Sequence, residues 1–186
     1  MIPIYDVIFD ESDNEQGLFA VSFVDAPAIC VDFIAMKKQE NPVKMYYSKV
    51  KHEIVSPLLI PNQLIYRCDE RGEYYIRWTK ETIEQAAYNM LFNNRMNWVT
   101  EMHPMNDNPN LTYNDCLLDN VFMKRLWIID DPKSDDAHTK YGFDLPQGTL
   151  MAHYKVNNRK LWQKIVSGEL KGLSIEAVGE LEYSNK

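Results

Sequence analysis

Near the end of the chain a serine stands in Lys171-Gly172-Leu173-Ser174-Ile175-Glu176-Ala177, where a short helical run gives way to a strand-like one. A serine hydroxyl attacks a carbonyl only when a base takes its proton, and a neutral imidazole is a suitable base. His103, in Trp98-Val99-Thr100-Glu101-Met102-His103-Pro104, lies roughly 70 residues upstream and is the candidate. Sequence separation is no obstacle, because such pairs assemble in space. A third group would accept the other ring N–H of His103. Glu176 stands two residues from Ser174, and Glu101 two from His103, so each shares a strand face with its neighbour. Asp119 and His153 are weaker candidates for the same role. Backbone N–H groups near Lys140-Tyr141-Gly142 or at Gly172 would serve a developing oxyanion. The competing chemistry is a zinc site of His103, His138 and His153, which no His-Glu-x-x-His spacing supports.

The elements that must position these residues sit in a chain of 186 residues, 45% hydrophobic, with a formal net charge of -7. That length and apolar content fit a single domain over residues 1–186 with a sizeable core. The acidic balance argues against general nucleic-acid binding, which needs clustered Lys and Arg. Cys30, Cys68 and Cys116 form no C-x-x-C pair and, being three, no closed disulfide set, so a reducing compartment is expected. The start, Met1-Ile2-Pro3-Ile4-Tyr5-Asp6, lacks the basic segment of a secretory signal. No apolar run is long enough to span a bilayer.

Leu18 to Val24 reads as a strand ended by Asp25-Ala26-Pro27, and Val31 to Met36 as its continuation. Lys37 to Pro42 reads as a connection. Further strands are expected around Lys44 to Lys51, Leu64 to Cys68 and Glu73 to Trp78. A helix runs from a Thr79 cap to Phe92, with Glu81 in its first turn and an apolar stripe of Ile83, Ala86, Ala87, Met90 and Leu91. His103 to Asn114 reads as a loop, Leu117 to Ile129 as sheet, and Asp130 to Asp136 as an exposed acidic turn whose positions do not match a calcium loop. Thr149 to Val156 is a strand. A second helix over about Asn158 to Ser167 follows an Asn157 cap, shows Leu161, Trp162, Ile165 and Val166 on its apolar face, and ends at Gly168. Arg125 and Arg159 read as exposed cations.

The tail from Val156 to Ala177, through Leu161-Trp162-Gln163-Lys164-Ile165-Val166-Ser167-Gly168 and Gly172-Leu173-Ser174-Ile175-Glu176, resembles the C-terminal signature of phage prohead maturation proteases. Pro61 to Arg67, Glu73 to Ile83, Trp127 to Asp131 and Tyr141 to Thr149 resemble that family's earlier blocks in the same order. The resemblance implies an α+β fold: a distorted, mainly antiparallel β-barrel of the herpesvirus assemblin type with surrounding helices. It implies a serine endopeptidase with Ser174 as nucleophile and His103 as base, and no cofactor or metal. The implied partners are a scaffold protein and the major capsid protein, cleaved inside the assembling prohead in the host cytoplasm, with a homodimer as the implied assembly. No nucleic-acid or membrane partner is implied. The chain departs from the pattern in one respect. The segment Ala20 to Ala28 looks like the strand that follows the serine block in relatives, as if strand order were circularly permuted, and Ala20 stands where an acidic residue is expected. The third catalytic member would then be Glu176 or Glu101, or the pair would act as a dyad. An inactive protease-fold protein serving head assembly is the alternative.

Overall fold

A computed structural model describes residues 2–10, 13, 15–28, 45–104, 108 and 110–184. Val31 to Met36, Lys37 to Pro42 and Cys30 lie outside the described residues. The strands are β1 (Ile4–Ile8), β2 (Gly17–Val24), β3 (Tyr46–Ser48), β4 (Glu53–Leu59), β5 (Ile65–Asp69), β6 (Gly72–Arg77), β7 (Val99–Glu101), β8 (Val121–Ile128), β9 (Leu150–Val156), β10 (Gly172–Val178) and β11 (Glu180–Tyr183). The helices are α1 (Lys80–Phe92), α2 (Tyr113–Cys116), α3 (Asp136–Thr139) and α4 (Arg159–Ser167).

Among the described residues the strands fall into three sheets, ordered β11-β1-β6-β5, β10-β2-β7 and β3-β4-β9-β8. None closes on itself, which overturns the expected barrel; the α+β class stands. Closure requires every strand to be paired on both sides at a consistent stagger. Here each sheet keeps two end strands, and the pairings β1–β6 and β2–β7 are parallel. The strands β5 and β10, each at the end of its sheet, face a cleft lined by side chains from both.

The centre of the molecule is β2. It is apolar at nearly every position because it is buried on both faces and flanked by β10 and β7. Helix α1 covers it. Thr79 caps α1 by accepting from the Thr82 N–H, and Ile83, Ala86, Ala87 and Met90 are buried as its stripe predicts, while Leu91 is exposed. Asn89 ties the two elements together. Its Oδ1 accepts from the Leu18 N–H at 3.1 Å and its Nδ2 donates to the Gln16 carbonyl at 3.2 Å. The chain can pass this close only through Gly17, with φ +124° and space for no Cβ against Asn89.

Helix α4 starts one residue later than the Asn157 cap predicts: Asn158 is the cap and accepts from the Leu161 N–H. Gly168 ends it in the left-handed conformation at φ 79° and delivers the chain into β10. Leu161, Trp162 and Ile165 join the main core with Phe23, Val21 and Leu173. A smaller core of Val55, Ile129, Ala137, Phe143, Leu145 and Met151 lies on the other side of the β4–β9 pair. No helix among the described residues is long and apolar enough to cross a membrane.

In the main core Tyr154 is fully buried, edge-on to Phe23 at 6.2 Å between centroids, and its hydroxyl has no hydrogen-bond partner among the described residues. A buried donor without an acceptor carries its desolvation cost uncompensated. Tyr154→Phe is therefore expected to stabilise the fold by about 1 kcal/mol, read as a higher denaturant midpoint at unchanged slope.

Candidate functional site

The three-stranded sheet brings hydroxyls into one row. Ser22 on β2 lies opposite Ser174 on β10 and beside Thr100 on β7. Side chains of residues opposite one another in a sheet share a face. Glu176, two residues beyond Ser174, joins that face opposite Ala20, so the acidic group here belongs to β10 and not to β2.

Glu176 is the centre of the site. Its Oε1 lies 2.5 Å from Ser22 Oγ and 2.6 Å from Thr100 Oγ1, and the two hydroxyl oxygens lie 2.5 Å apart. Each hydroxyl has one proton, so with Glu176 ionised both donate to the carboxylate. His103 Nδ1 stands 3.5 Å from the same oxygen, with the imidazole side chain 23% exposed and the carboxylate 11%. The His103 Nε2 has no hydrogen bond among the described residues. Burial opposes ionisation of Glu176, but the hydrogen bonds from His103, Ser22 and Thr100 outweigh it and hold the carboxyl below its usual range. Burial, followed by the Glu176 charge and hydrogen bond, pushes the Tyr113 phenol up to about 12.

The backbone holding His103 is strained. Met102 and His103 both have positive φ, 58° and 51°, directly after β7. Left-handed non-glycine residues cost about 1–3 kcal/mol each and persist where their surroundings over-determine them. Here the Met102 N–H donates to the Phe23 carbonyl at 3.0 Å, which fixes the turn, and Glu176 faces the ring. Beside the site an aromatic wall is built from Phe19 stacked on Tyr113 at 5.7 Å, with the Arg95 guanidinium 3.9 Å above Phe19.

Other candidates lie elsewhere. Glu101, on the opposite face from Thr100, is ion-paired with Lys164 of α4. His153 Nε2 meets Glu53 at 3.1 Å, and Glu53 also binds Lys124 at 2.6 Å. The Lys124 hydrogen bond, opposed by burial and helped by His153, lowers the Glu53 carboxyl; burial lowers His153 against the pull of Glu53. Asp119 is exposed and accepts from Asn158 at its backbone carbonyl. Arg125 pairs with Asp136 at 2.7 Å and lies over Trp127, while Arg159 is exposed. The Gly142 N–H is spent on the His138 carbonyl at 3.1 Å. His138 sits apart, with Nδ1 at 3.2 Å from the Phe143 carbonyl. No group of three or more metal-ligating side chains occurs among the described residues.

The expected serine endopeptidase is overturned, together with its inactive head-assembly alternative. Acyl transfer needs the nucleophile within hydrogen-bond reach of its base. Ser174 makes no hydrogen bond to His103, or to any other side chain, among the described residues, and the barrel on which both readings rest is open. The comparisons add nothing to restore a protease or capsid identity: no family model matches the chain, and neither a curated protein nor a solved structure matches it.

Sequence reasoning missed Ser22, Thr100 and Tyr113. One signal for Ser22 was present, since it is the only polar side chain in the apolar run Leu18 to Val24. A lone hydroxyl in a strand buried on both faces needs a partner.

Because the folded Glu176 carboxyl sits below its unfolded value of 4.5, its contribution to stability is complete above that value and is lost as pH falls through the lower, folded one. Chemical denaturation between about pH 6 and pH 3 is expected to show this loss in the wild type and not in Glu176→Gln. Glu176→Ala is expected to cost about 1–3 kcal/mol at neutral pH, since it strands a buried hydroxyl proton.

Proposed function

We propose that this chain is a binding protein whose polar recognition point is His103 Nε2. The observation that carries this reading is the asymmetry of the imidazole. Nδ1 faces a carboxylate that is itself held by two hydroxyls, while Nε2, on a side chain that is 23% exposed, is unbonded among the described residues. A carboxylate at Nδ1 selects the tautomer with the proton on Nδ1, which leaves the Nε2 lone pair as an acceptor. The site then takes an O–H or N–H donor from a ligand or partner surface. The Phe19–Tyr113 wall supplies apolar area beside it. Ser22 and Thr100 act as positioning residues: they hold Glu176, and Glu176 holds the ring.

Protonation of the ring turns Nε2 into a donor and abolishes acceptance, so occupancy falls as the imidazole becomes charged. This is recognition and not turnover. No nucleophile is bonded to the base among the described residues, and the Ser22 and Thr100 hydroxyls are committed to Glu176.

The tautomer is directly measurable. Long-range proton–nitrogen correlation spectra are expected to place the His103 proton on Nδ1 in the wild type at neutral pH. Glu176→Gln, which keeps shape and removes charge, should give a mixture of tautomers. Diethyl pyrocarbonate, which acylates unprotonated ring nitrogen, should modify His103 in the wild type, and the adduct should map to Nε2. A His103 proton found on Nε2 in the wild type, or a tautomer unchanged by Glu176→Gln, would remove the basis of this reading.

A further inference from the structure

The cleft between β5 and β10 is separate in chemistry from the His103 site and does not depend on that reading. It has a volume of about 170 Å³, close to the roughly 150 Å³ apolar cavity that accepts a benzene ring, so it fits one leucine- or phenylalanine-sized side chain. Leu58, Leu59, Ile65, Leu173 and Ile175 give it apolar walls.

Two further features say what enters it. The first is a free strand edge. The Val21 N–H donates to Trp98 and the Phe23 carbonyl accepts from Met102, so these odd positions of β2 turn their backbone to the β7 side. Ser22 therefore turns its backbone to its partner Ser174. Alternation along β10 then sends the N–H and C=O groups of Leu173 and Ile175 outward, where β10 has no neighbour in its sheet among the described residues.

The second feature is an exposed cation beside the cleft. Arg67 of β5 lines the cleft, and its Nη1 donates to the Tyr66 carbonyl at 2.9 Å. No carboxylate pairs with it among the described residues. Of the acidic groups near it in sequence, Asp69 takes Arg71 at 2.5 Å, Glu73 accepts from the Tyr66 hydroxyl at 2.6 Å, and Glu70 is exposed.

From the free edge, the one-side-chain cleft and the unpaired guanidinium, we infer that this cleft binds the C-terminus of an extended peptide. The peptide adds as a strand along β10, its last apolar side chain fills the cleft, and its terminal carboxylate pairs with Arg67. Each element answers one feature. An internal segment would bring the side chain and the strand but no carboxylate, and a small organic acid would bring the carboxylate but leave the edge unpaired.

The test uses three probes on the full chain: a fluorescent peptide ending in Thr-Val-Leu with a free carboxylate, the same peptide as its C-terminal amide, and the acid with alternate backbone nitrogens methylated. The free acid is expected to bind at least about tenfold more tightly than the amide, and methylation should abolish binding. The acid–amide gap should close in Arg67→Gln, whose folding is checked by circular dichroism. Equal affinity of acid and amide for the wild type would overturn the carboxylate assignment whatever the variant does. Unaltered binding of the methylated acid would overturn strand addition. Binding of none of the three at about 1 mM would overturn the site altogether.

Discussion

A charge placed in a sheet must be held from several sides at once, and much of the described structure follows from how Glu176 is held. An ionised carboxylate taken out of water costs several kcal/mol unless donors replace its hydration. Here the replacements come from different parts of the chain: Ser22 from β2, Thr100 from β7, and His103 from the turn after it. None is near Glu176 in sequence. They meet only if β10 pairs with β2 and β2 with β7 in the observed registers. A slip of one residue in either pairing would turn the partner hydroxyl to the opposite face and leave a carboxylate without its donors. The polar cluster therefore penalises wrong registers in a sheet whose apolar residues alone would tolerate them, because β2 is apolar on both faces.

The same registers explain how strain at Met102 and His103 is tolerated. The β7 strand is short, running only from Val99 to Glu101, and the chain must leave it sharply to bring an imidazole beside β10. Two consecutive left-handed residues make that turn. The Met102 N–H, anchored on Phe23, lies in the same ladder that positions Ser22, so the turn and the carboxylate clasp share one support. A glycine at either position would relieve the backbone and widen the range of ring positions. Retaining side chains there sacrifices stability for placement.

What could be read from the sequence was what local chemistry determines. Thr79, Glu81 and the spacing of Ile83, Ala86, Ala87 and Met90 specify α1, and Gly168 specifies the end of α4. The alternation of Ser174 and Glu176 specifies a shared face once β10 is a strand. What could not be read was pairing at long range. β1, β7 and β11 are short and owe their conformation to neighbours distant in sequence, as Tyr5 opposite Tyr183 illustrates. The barrel was an expectation from resemblance, and nothing local in the chain encodes closure; Leu91 and Val166 likewise matched their helical stripes yet stand at the rim, where the stripe outruns the surface that covers it. Ser174 drew attention because a serine at a helix–strand junction suits a nucleophile, whereas the hydroxyls bonded to Glu176 are Ser22 and Thr100, in ordinary strand positions.

The open sheets matter as much as the polar cluster, because they give β10 two unlike sides. Its even positions, Ser174 and Glu176, carry the polar face, and Ser174 also borders the cleft. Its odd positions, Leu173 and Ile175, turn apolar side chains into the cleft and send their backbone groups to the free edge. In a closed barrel that edge would be paired and the cleft would be filled by ladder bonds. Exposed edges are usually blunted because they invite aggregation. Here the edge borders a cleft whose opposite wall includes Ile65 and Arg67 of β5. An end strand beside an apolar cleft offers one extended chain both a backbone ladder and a pocket, and that combination follows from the failure of the sheets to close.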